Sequence, residues 1–311
     1  MTDTSFEQNY HRPVLAEPAV DLLVTNPDGI YLDGTVGGGG HSLLIAKKLS
    51  KRGTLIGCDR DADAIAQSRK VLPETAVLIQ CRFSEIKEAT REFTQRGVWG
   101  VLLDLGVSSF QLDTAERGFS HRFSGPLDLR MDPSRGETAA DLLKDIDLSD
   151  LTRIIFAYGE DSQARRIAKA ILETRARHPI ETTDDLAQII DRSVPATRAK
   201  SLARVFQALR IAVNHELEEL EQGLVDCWDM LIPGGRLVVI SYHSLEDRIV
   251  KTFMRSKAEP PQPPAYLPMA PTEPPEGKLP FRKPLLPSET EIDENPRARS
   301  AKLRVVEKIL S

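Results

Sequence analysis

The chain has 311 residues, of which 41% are hydrophobic and 28% are charged, and its formal net charge is −5. A chain of this length and apolar content can bury a sizeable core, and it favours one large domain with a smaller domain inserted or appended. The negative net charge gives no indication of a nucleic-acid partner, so a surface that binds nucleic acid must be a local basic patch.

Residues 1–10 are polar, carry two acidic side chains and lack a basic start before an apolar run, so they predict no secretory signal. No window approaches the ~18 apolar residues of a membrane span. Cys58, Cys81 and Cys227 make no CxxC pair, and this odd number indicates reduced thiols that serve as small buried residues. We therefore expect a soluble, cytoplasmic protein without a membrane partner.

The first part of the chain alternates short apolar runs with helical patterns, which predicts a mostly parallel sheet with right-handed crossovers. Residues 98–104 form a near-continuous apolar run, as expected for a strand buried on both faces. The predicted strands are Ile30–Asp33, Thr54–Asp59, Ala76–Gln80 and Val98–Asp104, and the predicted helices between them are Ser42–Leu49 and Asp61–Val71.

Residues from about 113 to 213 contain no convincing strand, so they predict a helical insertion. Its predicted helices are Ala139–Leu143, Leu148–Tyr158, Ser162–Thr174, Thr183–Asp191 and Lys200–Val213, with Ser149, Thr183 and Asp184 as plausible helix-start residues. The alternation then returns with a helix over Glu216–Met230, a turn at Pro233–Gly235, a strand over Arg236–Tyr242 and a helix over Leu245–Met254.

The end of the chain differs in composition, because twelve of the 21 prolines lie between Pro260 and Pro296. That stretch predicts extended backbone, either a flexible loop or a wrapping segment. Residues 303–306 predict a short strand that could add to a sheet edge. The fold class is therefore α/β, with a Rossmann-like domain formed by residues 1–113 and 214–311 and an all-helical domain inserted over residues 114–213.

A glycine-rich loop, Asp33-Gly-Thr-Val-Gly-Gly-Gly-Gly-His-Ser42, follows the first strand and opens a helix. Glycines allow positive φ and close approach of a ligand, and the helix N-terminus offers free N–H groups. A tight turn without a ligand is the alternative. Asp59 ends the second strand about 20 residues later, where a carboxylate can accept both hydroxyls of a ribose. It could instead be an exposed acidic N-cap of the next helix.

These features do not separate NAD from S-adenosylmethionine, because both cofactors carry adenosine. Asp33 at the end of the first strand could hold the amino group of a methyl donor. Asp104 ends the fourth strand, beside the switch point where ligands bind in such sheets. The two acids favour S-adenosylmethionine as the cofactor.

A series of motifs along nearly the whole chain resembles the bacterial 16S rRNA cytosine-N4 methyltransferases of the RsmH/MraW family. The matching segments are His11-Arg-Pro-Val-Leu15 with Glu17, the loop Asp33–Ser42, Asp104-Leu-Gly-Val-Ser-Ser109, Gln111-Leu-Asp113, Arg117-Gly-Phe-Ser120, Gly125-Pro-Leu-Asp-Leu-Arg-Met-Asp132, Phe206-Gln-Ala-Leu-Arg-Ile211 with Val213-Asn214, Ser241-Tyr-His-Ser-Leu-Glu-Asp-Arg248 and Asn295-Pro-Arg-Ala-Arg-Ser-Ala-Lys-Leu-Arg304. The Pro233–Gly235 turn before a late strand is also similar to methyltransferases of this sheet type.

The resemblance implies a methyltransferase domain with an inserted helical domain, and methylation of the exocyclic N4 of a decoding-centre cytidine in 16S rRNA. The RNA partner would be free or within the small ribosomal subunit. By motif, the resemblance implies donor contacts at Gly39, Gly40, His41, Asp59, Phe83, Asp104 and Gln111. Phe83 would stack on the adenine, although the residue pattern alone predicts a core side chain there.

The chain departs from the family pattern at several positions that do not include these donor contacts. His121 stands where an aromatic residue is usual, Ser124 where an acid is common, and Tyr242 where phenylalanine is usual. The stretch Ala199–Ala203 is longer than in many members. These departures concern the RNA side of the protein more than its chemistry.

Methylation of cytosine at C5 needs a cysteine nucleophile, usually on a loop after Pro or Thr, and no cysteine here stands in that setting. An exocyclic amine needs only orientation and an oxygen that accepts its hydrogens. The predicted catalytic residues that line the pocket of the target amine are Asp104, Ser108 and Ser109. The next candidates are His243 and Ser244. The serines could instead be turn residues, and His243 could hold a loop. Because the chain has Asp-Leu-Gly-Val where familiar amine methyltransferases have a Pro-Pro motif, the amine assignment rests on the resemblance.

RNA recognition is assigned to the helical insertion, because the target base must leave its stack and RNA is read by shape and phosphates. Residues 162–213 contain ten Lys/Arg and five acids, a local charge of +5. A second basic cluster comprises Arg297, Arg299, Lys302 and Arg304. Solvated helix faces are the alternative for either cluster. The six histidines show no metal-ligand spacing, so no metal is predicted.

Two other functions remain as alternatives to methyl transfer. The first is a non-catalytic ribosome-assembly factor with a retained nucleotide pocket, which would bind the cofactor without turnover. The second is an NAD-dependent oxidoreductase, for which the sequence offers no proton donor paired with a substrate clamp. A comparison of thermal stabilisation by the two cofactors would separate these functions.

Overall fold

The computed structural model describes residues 13–120, 123–259 and 274–309. His11 and Arg12 of the first motif, His121, and residues 260–273 of the proline-rich stretch lie outside the described residues. Within the described ranges, no helix is long and apolar enough to cross a membrane.

Among the described residues, seven strands form one sheet in the order β3-β2-β1-β4-β5-β7-β6. The strands are β1 (Ile30–Asp33), β2 (Thr54–Asp59), β3 (Val77–Gln80), β4 (Val98–Asp104), β5 (Leu231–Ser241), β6 (Gly277–Lys278) and β7 (Lys302–Lys308). Strands β1 to β5 pair in parallel, and β7 pairs antiparallel with both β5 and β6. The predicted α/β fold with a mostly parallel sheet is confirmed.

Helices connect the strands and also make up most of the segment between β4 and β5. They are α1 (Ala16–Leu23), α2 (Gly40–Lys48), α3 (Ala62–Ser68), α4 (Ile86–Ala89), α5 (Ser109–Asp113), α6 (Ala139–Asp145), α7 (Leu148–Gly159), α8 (Ala164–Arg175), α9 (Thr183–Ser193), α10 (Arg198–Asn214), α11 (Glu216–Met230), α12 (Ser244–Ala258) and α13 (Glu289–Glu294). The helix starts are set by polar caps one or two residues from the predicted ones: Asp147 caps α7 and Thr182 caps α9.

The sheet carries an apolar core on each face, because successive side chains of a strand point to opposite sides. Leu103 of β4 and Val239 of β5 pack on one face with α11 and α12. Leu102 and Val238 pack on the other face with α1 and α2. Strand β4 is thus buried on both faces, as its apolar run predicts.

The chain divides into two compact units. The sheet unit comprises residues 1–106 and 219–311, and the helical unit comprises residues 107–218. The helical unit has its own buried core, which includes Leu151, Ile167 and Leu209. Its bounds lie seven residues before and five residues after the predicted limits of 114 and 213.

One of two predicted features near the end of the sheet is wrong in detail. Pro233–Gly235 does not form a separate turn, because these residues lie inside β5, where the pairing with β4 shifts register and Gly234 adopts a φ of 84°. A bulge of this kind absorbs turn-forming residues without ending the strand. The predicted strand over residues 303–306 is present as β7, which adds to the edge of the parallel sheet by pairing with β5, and the two-residue β6 pairs with its outer side.

Candidate active site

Three acids that the sequence singles out lie at the carboxyl ends of adjacent parallel strands: Asp33 on β1, Asp59 on β2 and Asp104 on β4. Carboxyl ends of parallel strands meet at one edge of the sheet, which is where ligands bind in this fold class. The fold therefore brings these three predicted residues to one edge within the sheet unit.

The glycines of the loop between β1 and α2 differ in how closely other residues pack against their α-carbons. Gly37 and Gly39 have φ values of 49° and 87°, which glycine adopts without strain. A Cβ at Gly39 would collide with Val71, and one at Gly40 with Pro13. Among the described residues, a Cβ at Gly37 would meet nothing nearer than the Thr35 carbonyl oxygen at 3.8 Å. Gly37 therefore offers the open backbone, whereas protein covers the α-carbons of the predicted contacts Gly39 and Gly40.

Asp33 is a buried acid held by the loop that follows it, with 1% of its surface exposed. Its Oδ1 accepts the Thr35 N–H at 3.1 Å, and its Oδ2 accepts the Ser42 hydroxyl at 2.6 Å. Burial raises the pKa of Asp33 above its ordinary value, against the opposing effects of the Ser42 hydrogen bond and His41. The predicted contact with the donor's amino group stays a prediction.

His41 lies in the first turn of α2 and is buried between the N-terminal segment and Asp104. Its Nε2 is 3.0 Å from the Val14 carbonyl oxygen. Because a carbonyl oxygen only accepts, Nε2 carries the proton. Burial lowers the pKa of His41, so its ring is neutral and its Nδ1 has no proton. That bare Nδ1 faces Asp104 Oδ2 at 3.5 Å.

Asp104 is fixed by hydrogen bonds to its backbone and its side chain. Its N–H donates to the Thr35 hydroxyl at 2.6 Å, and the Tyr242 hydroxyl donates to its Oδ1 at 2.8 Å. Burial raises the pKa of Asp104 to about 7, with the Tyr242 hydrogen bond opposing the rise and Glu246 adding to it. A carboxyl group with such a pKa exchanges a proton near neutral pH, as a general acid or base requires.

His243 and Glu246 form a capping box at the start of α12. His243 Nδ1 accepts the Glu246 N–H at 3.4 Å, and its Nε2 lies 3.1 Å from Glu246 Oε1. Glu246 Oε2 also accepts the Tyr242 N–H at 2.9 Å. These contacts agree with the alternative in which His243 holds a loop, and its catalytic role stays a prediction.

Asp59 is held by two backbone N–H groups: its Oδ2 accepts that of Gly37 and its Oδ1 that of Asp61, both at 2.9 Å. Each carboxylate oxygen keeps a second lone pair for a ribose hydroxyl. Burial raises the pKa of Asp59 to about 6. The alternative that Asp59 caps the next helix is wrong, because Asp61 is the N-cap of α3.

Phe83 follows β3 and begins a 3₁₀ turn. It is partly buried and packs against the core face that includes α11. A Cβ at Gly223 of α11 would lie 2.6 Å from the Cβ of Phe83, so glycine is needed for this close approach. The adenine-stacking role of Phe83 stays a prediction, because its contacts fit a half-buried core residue equally well.

The sheet unit carries groups that suit the binding of an adenosine-containing sulfonium donor. The open backbone at Gly37 adjoins the Asp59 carboxylate through a hydrogen bond, and that carboxylate has spare acceptor capacity. Asp33 supplies a second acid, which is buried, one strand away. These residues would hold the ribose and the cationic end of the donor.

Three further predicted residues belong to the helical unit. The Ser108 hydroxyl accepts the Gln111 N–H at 3.2 Å, and the Gln111 side-chain oxygen accepts the Ser108 N–H at 3.0 Å. Ser108 is therefore the N-cap of α5, in agreement with the alternative that the serines are turn residues. The side chain of Ser109 lies outside the described part of the structure. The assigned roles of Ser108, Ser109 and Gln111 stay predictions.

Sequence reasoning missed Thr35, Tyr242 and Glu246 as members of the site. The box His243–Glu246 does have a sequence signal, a polar cap followed three residues later by glutamate. Tyr242 had only the signal of a departure from the family's usual residue. No local pattern links Tyr242 to Asp104, because 138 positions separate them along the chain.

The cysteines offer no activated nucleophile. Cys58, Cys81 and Cys227 are free and buried. A hydrogen bond with Cys81 and burial raise the pKa of Cys58, and burial raises that of Cys227. Thiols of this kind are unreactive. Among residues 13–120, 123–259 and 274–309, no cluster of His, Cys, Asp and Glu is arranged to hold a metal ion.

The basic side chains of the helical unit fall into two groups. Some serve the fold: Arg175 donates to the carbonyl oxygens of Leu143 and Ile146, and Arg210 pairs with Glu216. Arg165, Arg166, Arg177 and Lys200 have no acidic partner in the part of the chain that the structure describes. In the second cluster, Lys302 and Arg304 both pair with Asp247.

Comparisons with known proteins agree with the resemblance in the sequence. The family model described as the MraW methylase family matches residues 8–309. A protein of Magnetococcus marinus named ribosomal RNA small subunit methyltransferase H is 49% identical, over 96% of this chain and 98% of its own. One of Chlorobaculum parvum with the same name is 46% identical, over 97% and 99%. A Clostridium thermocellum structure titled putative rRNA-methylase has a TM-score of 0.46 and 13% identity, over 96% of this chain and 100% of its own. The chain therefore belongs to the MraW methylase family and is a methyltransferase whose methyl donor is S-adenosylmethionine.

Proposed function

We propose that the protein methylates the exocyclic N4 of a decoding-centre cytidine in 16S rRNA of the small ribosomal subunit. The names of the two curated relatives support small-subunit rRNA as the substrate. The observation that carries the chemistry is the partly buried Asp104 carboxyl group, with a pKa of about 7, at the sheet edge that also carries Asp33 and Asp59.

The donor supplies an electrophilic methyl group on a sulfonium centre. The residues of the sheet unit hold it: Asp59 accepts the ribose hydroxyls, the backbone at Gly37 allows close approach, and Asp33 takes the amino group. Phe83 gives the adenine an apolar surface. The contacts of Asp59 leave capacity for a ligand, because each of its carboxylate oxygens has a spare lone pair.

Asp104 accepts a proton from the target amine. As nitrogen forms its new bond to the methyl carbon, the bond from that carbon to the donor sulfur would break and leave its electron pair on sulfur. The nitrogen becomes more acidic, and one N–H proton must leave. The Asp104 carboxylate takes that proton on Oδ2, where the bare Nδ1 of His41 faces it at 3.5 Å and can accept a hydrogen bond from the protonated acid. Release of the proton to solvent restores the carboxylate. No cysteine adduct is required, in accord with the inert thiols.

The helical unit recognises RNA through those basic side chains that the fold does not use. Arg165 and Arg166 lie in the first turn of α8, where no acid is present. Cations are unfavourable at a helix N-terminus because of the helix dipole. A tandem arginine pair there does not serve the stability of α8, and phosphate groups of RNA are the ligands that it suits.

The test is methyl transfer to small ribosomal subunits from a strain that lacks this modification. The wild-type protein, labelled S-adenosylmethionine and mass spectrometry of the nucleosides should give N4-methylated cytidine. Asp104→Asn should lower the single-turnover rate by about 10² to 10⁴, the usual contribution of a general base. Calorimetric titration should show that Asp104→Asn still binds S-adenosylhomocysteine.

Asp229→Asn is the matched control, because Asp229 pairs with Lys87 at the protein surface and lies in no proposed site. It should keep the wild-type rate. If neither subunits nor free rRNA gain methyl groups although the donor binds, the rRNA assignment is wrong and the assembly-factor alternative gains weight. If the product is methylated at another atom, the N4 assignment alone fails.

A further inference from the structure

The Tyr242 hydroxyl is placed to control one carboxyl group. It donates to Asp104 Oδ1 at 2.8 Å from a position just beyond the end of β5. Burial, followed by the nearby Asp104 charge, raises the pKa of Tyr242 well above its ordinary value. The hydroxyl therefore keeps its proton at working pH and acts as a donor.

Tyr242 is itself held through its backbone, and its ring lies close to Gly106. Its N–H donates to the buried Glu246 carboxylate at 2.9 Å. A Cβ at Gly106, in the loop after β4, would lie 3.5 Å from the Tyr242 ring. Glu246 belongs to the capping box of α12, so the start of that helix fixes the backbone that carries the ring.

Four titratable groups face Asp104 from the elements packed around it. His41 on α2 approaches Oδ2, and Tyr242 after β5 approaches Oδ1. Glu246 on α12 and Asp33 on β1 interact with it electrostatically. Of these four, Tyr242 donates to Asp104, neutral His41 presents a lone pair, and the two acids disfavour its charge. The Tyr242 hydroxyl is thus the side-chain group that stabilises the ionised form.

We infer that Tyr242 is a positioning residue for the reaction: it holds Oδ1 of Asp104 and leaves Oδ2, which faces His41, as the oxygen that exchanges the proton. This inference rests on the proposed role of Asp104 in methyl transfer. It goes beyond that role by assigning the orientation and the working pH range of the carboxylate to a hydroxyl that phenylalanine, the usual residue of the resembled family here, would lack.

The first test measures stability and requires neither RNA nor donor. Tyr242→Phe removes the hydroxyl while preserving the ring, so the variant should fold. A hydrogen bond to a charged acceptor is stronger than one to a neutral acceptor. Because the Asp104 pKa is about 7, the bond acts on a neutral acid at pH 5.5 and on a carboxylate at pH 8.5. The loss in Tm should be about 2–4 °C larger at pH 8.5 than at pH 5.5.

The second test is the pH dependence of single-turnover methyl transfer to small ribosomal subunits. Loss of a donor to the carboxylate raises the pKa of Asp104. The midpoint of the acid limb should therefore move upward by about one pH unit in Tyr242→Phe. A side chain that only packed against the fold would lower Tm without moving this midpoint.

Tyr158→Phe is the control, because it removes a tyrosine hydroxyl that lies 3.4 Å from Glu218 in the helical unit. It should leave the midpoint at the wild-type pH. An equal Tm loss of Tyr242→Phe at both pH values, or a rate profile that superimposes on that of the wild type, would overturn the inference. If the wild type methylates no RNA, the proposed function fails, and the stability measurement alone decides whether Tyr242 holds the charged Asp104.

Discussion

Asp59 and Asp104 are both partly buried carboxyl groups with raised pKa values, but their contacts give them different tasks. Asp59 accepts two backbone N–H groups, which hold it as an acceptor for hydroxyl groups. Asp104 has a tyrosine donor on one oxygen and the bare nitrogen of His41 near the other. The first arrangement favours a fixed carboxylate, and the second favours a carboxyl group that gains and loses a proton.

Donor affinity should depend on the ionisation of Asp59. The pKa of Asp59 in the free protein is about 6, and only the carboxylate can accept both ribose hydroxyls. Binding therefore favours the ionised form, so the association constant for S-adenosylhomocysteine should be highest above pH 6. It should fall up to about tenfold per pH unit well below pH 6. Isothermal titration calorimetry from pH 5 to pH 8 measures this dependence.

Asp59→Asn should bind S-adenosylhomocysteine more weakly at pH 8 and should lose most of the dependence between pH 5 and pH 7. Asp63→Asn is a suitable control, because Asp63 is exposed in the first turn of α3. An Asp59→Asn profile parallel to that of the wild type would show that another group controls donor binding.

The strand-end acids were predictable, whereas their partners were not. In a parallel sheet every strand ends at the same edge, so a periodic pattern is enough to group Asp33, Asp59 and Asp104. Tyr242 reaches Asp104 only because β4 and β5 pair, with Asp104 opposite Ile240. A single sequence does not specify that pairing, since strands distant along the chain become neighbours only through the whole fold.

At the scale of elements, helix α8 has an apolar face that is buried, as is usual, but two arginines in its first turn, where cations are unfavourable. Ile167 and Ile171 pack into the helical core, whereas Arg165 and Arg166 are exposed in the first turn. The charge pattern opposes the helix dipole. Removal of these two arginines should therefore change the stability of the protein and its affinity for RNA in opposite directions.

Arg165→Ala combined with Arg166→Ala should weaken RNA binding and slightly stabilise the protein. Loss of two phosphate contacts should reduce the slope of log affinity against log salt by about 1.5. Removal of two cations from the helix start should raise Tm by about 1–3 °C. Filter binding to small-subunit rRNA at several salt concentrations and thermal unfolding measure the two effects.

Arg91→Ala is the matched control, because Arg91 is equally exposed but pairs with Glu88 in the sheet unit. Its salt slope should equal that of the wild type. An unchanged slope in the Arg165–Arg166 double variant would leave α8 as a solvated helix face and would require RNA contacts elsewhere on the protein.

Element positions followed from periodicity, and the errors arose at element ends. Strand β4 and helix α11 have the predicted bounds, because continuous apolar or amphipathic patterns define them. The predicted starts Ser149 and Thr183 lie inside their helices, because several adjacent polar residues compete for each cap. The Pro233–Gly235 error has another cause: β5 pairs with β4 both before these residues, at Leu231, and after them, from Arg236 onward, so the strand continues through the irregularity.

At the scale of the whole molecule, the chain builds separate apolar cores for the two units. The helical core draws its buried members from residues 119–209, all inside the helical unit. The two cores of the sheet draw theirs from residues 14–105 and 220–306. Because no buried cluster of the described residues mixes the two sets, the hydrophobic stabilisation of the helical unit comes from its own residues.

The helical unit, residues 107–218, should consequently fold when expressed by itself. Its far-ultraviolet circular dichroism should be helical, and its thermal unfolding should be cooperative, because its core does not require the sheet. Ile167 is fully buried in that core, so Ile167→Ala should destabilise the fragment by about 2–5 kcal/mol. Arg165→Ala, at the exposed start of the same helix, should not. A helical but non-cooperative fragment that binds a hydrophobic dye would instead show that the sheet unit is needed to order the packing of this core.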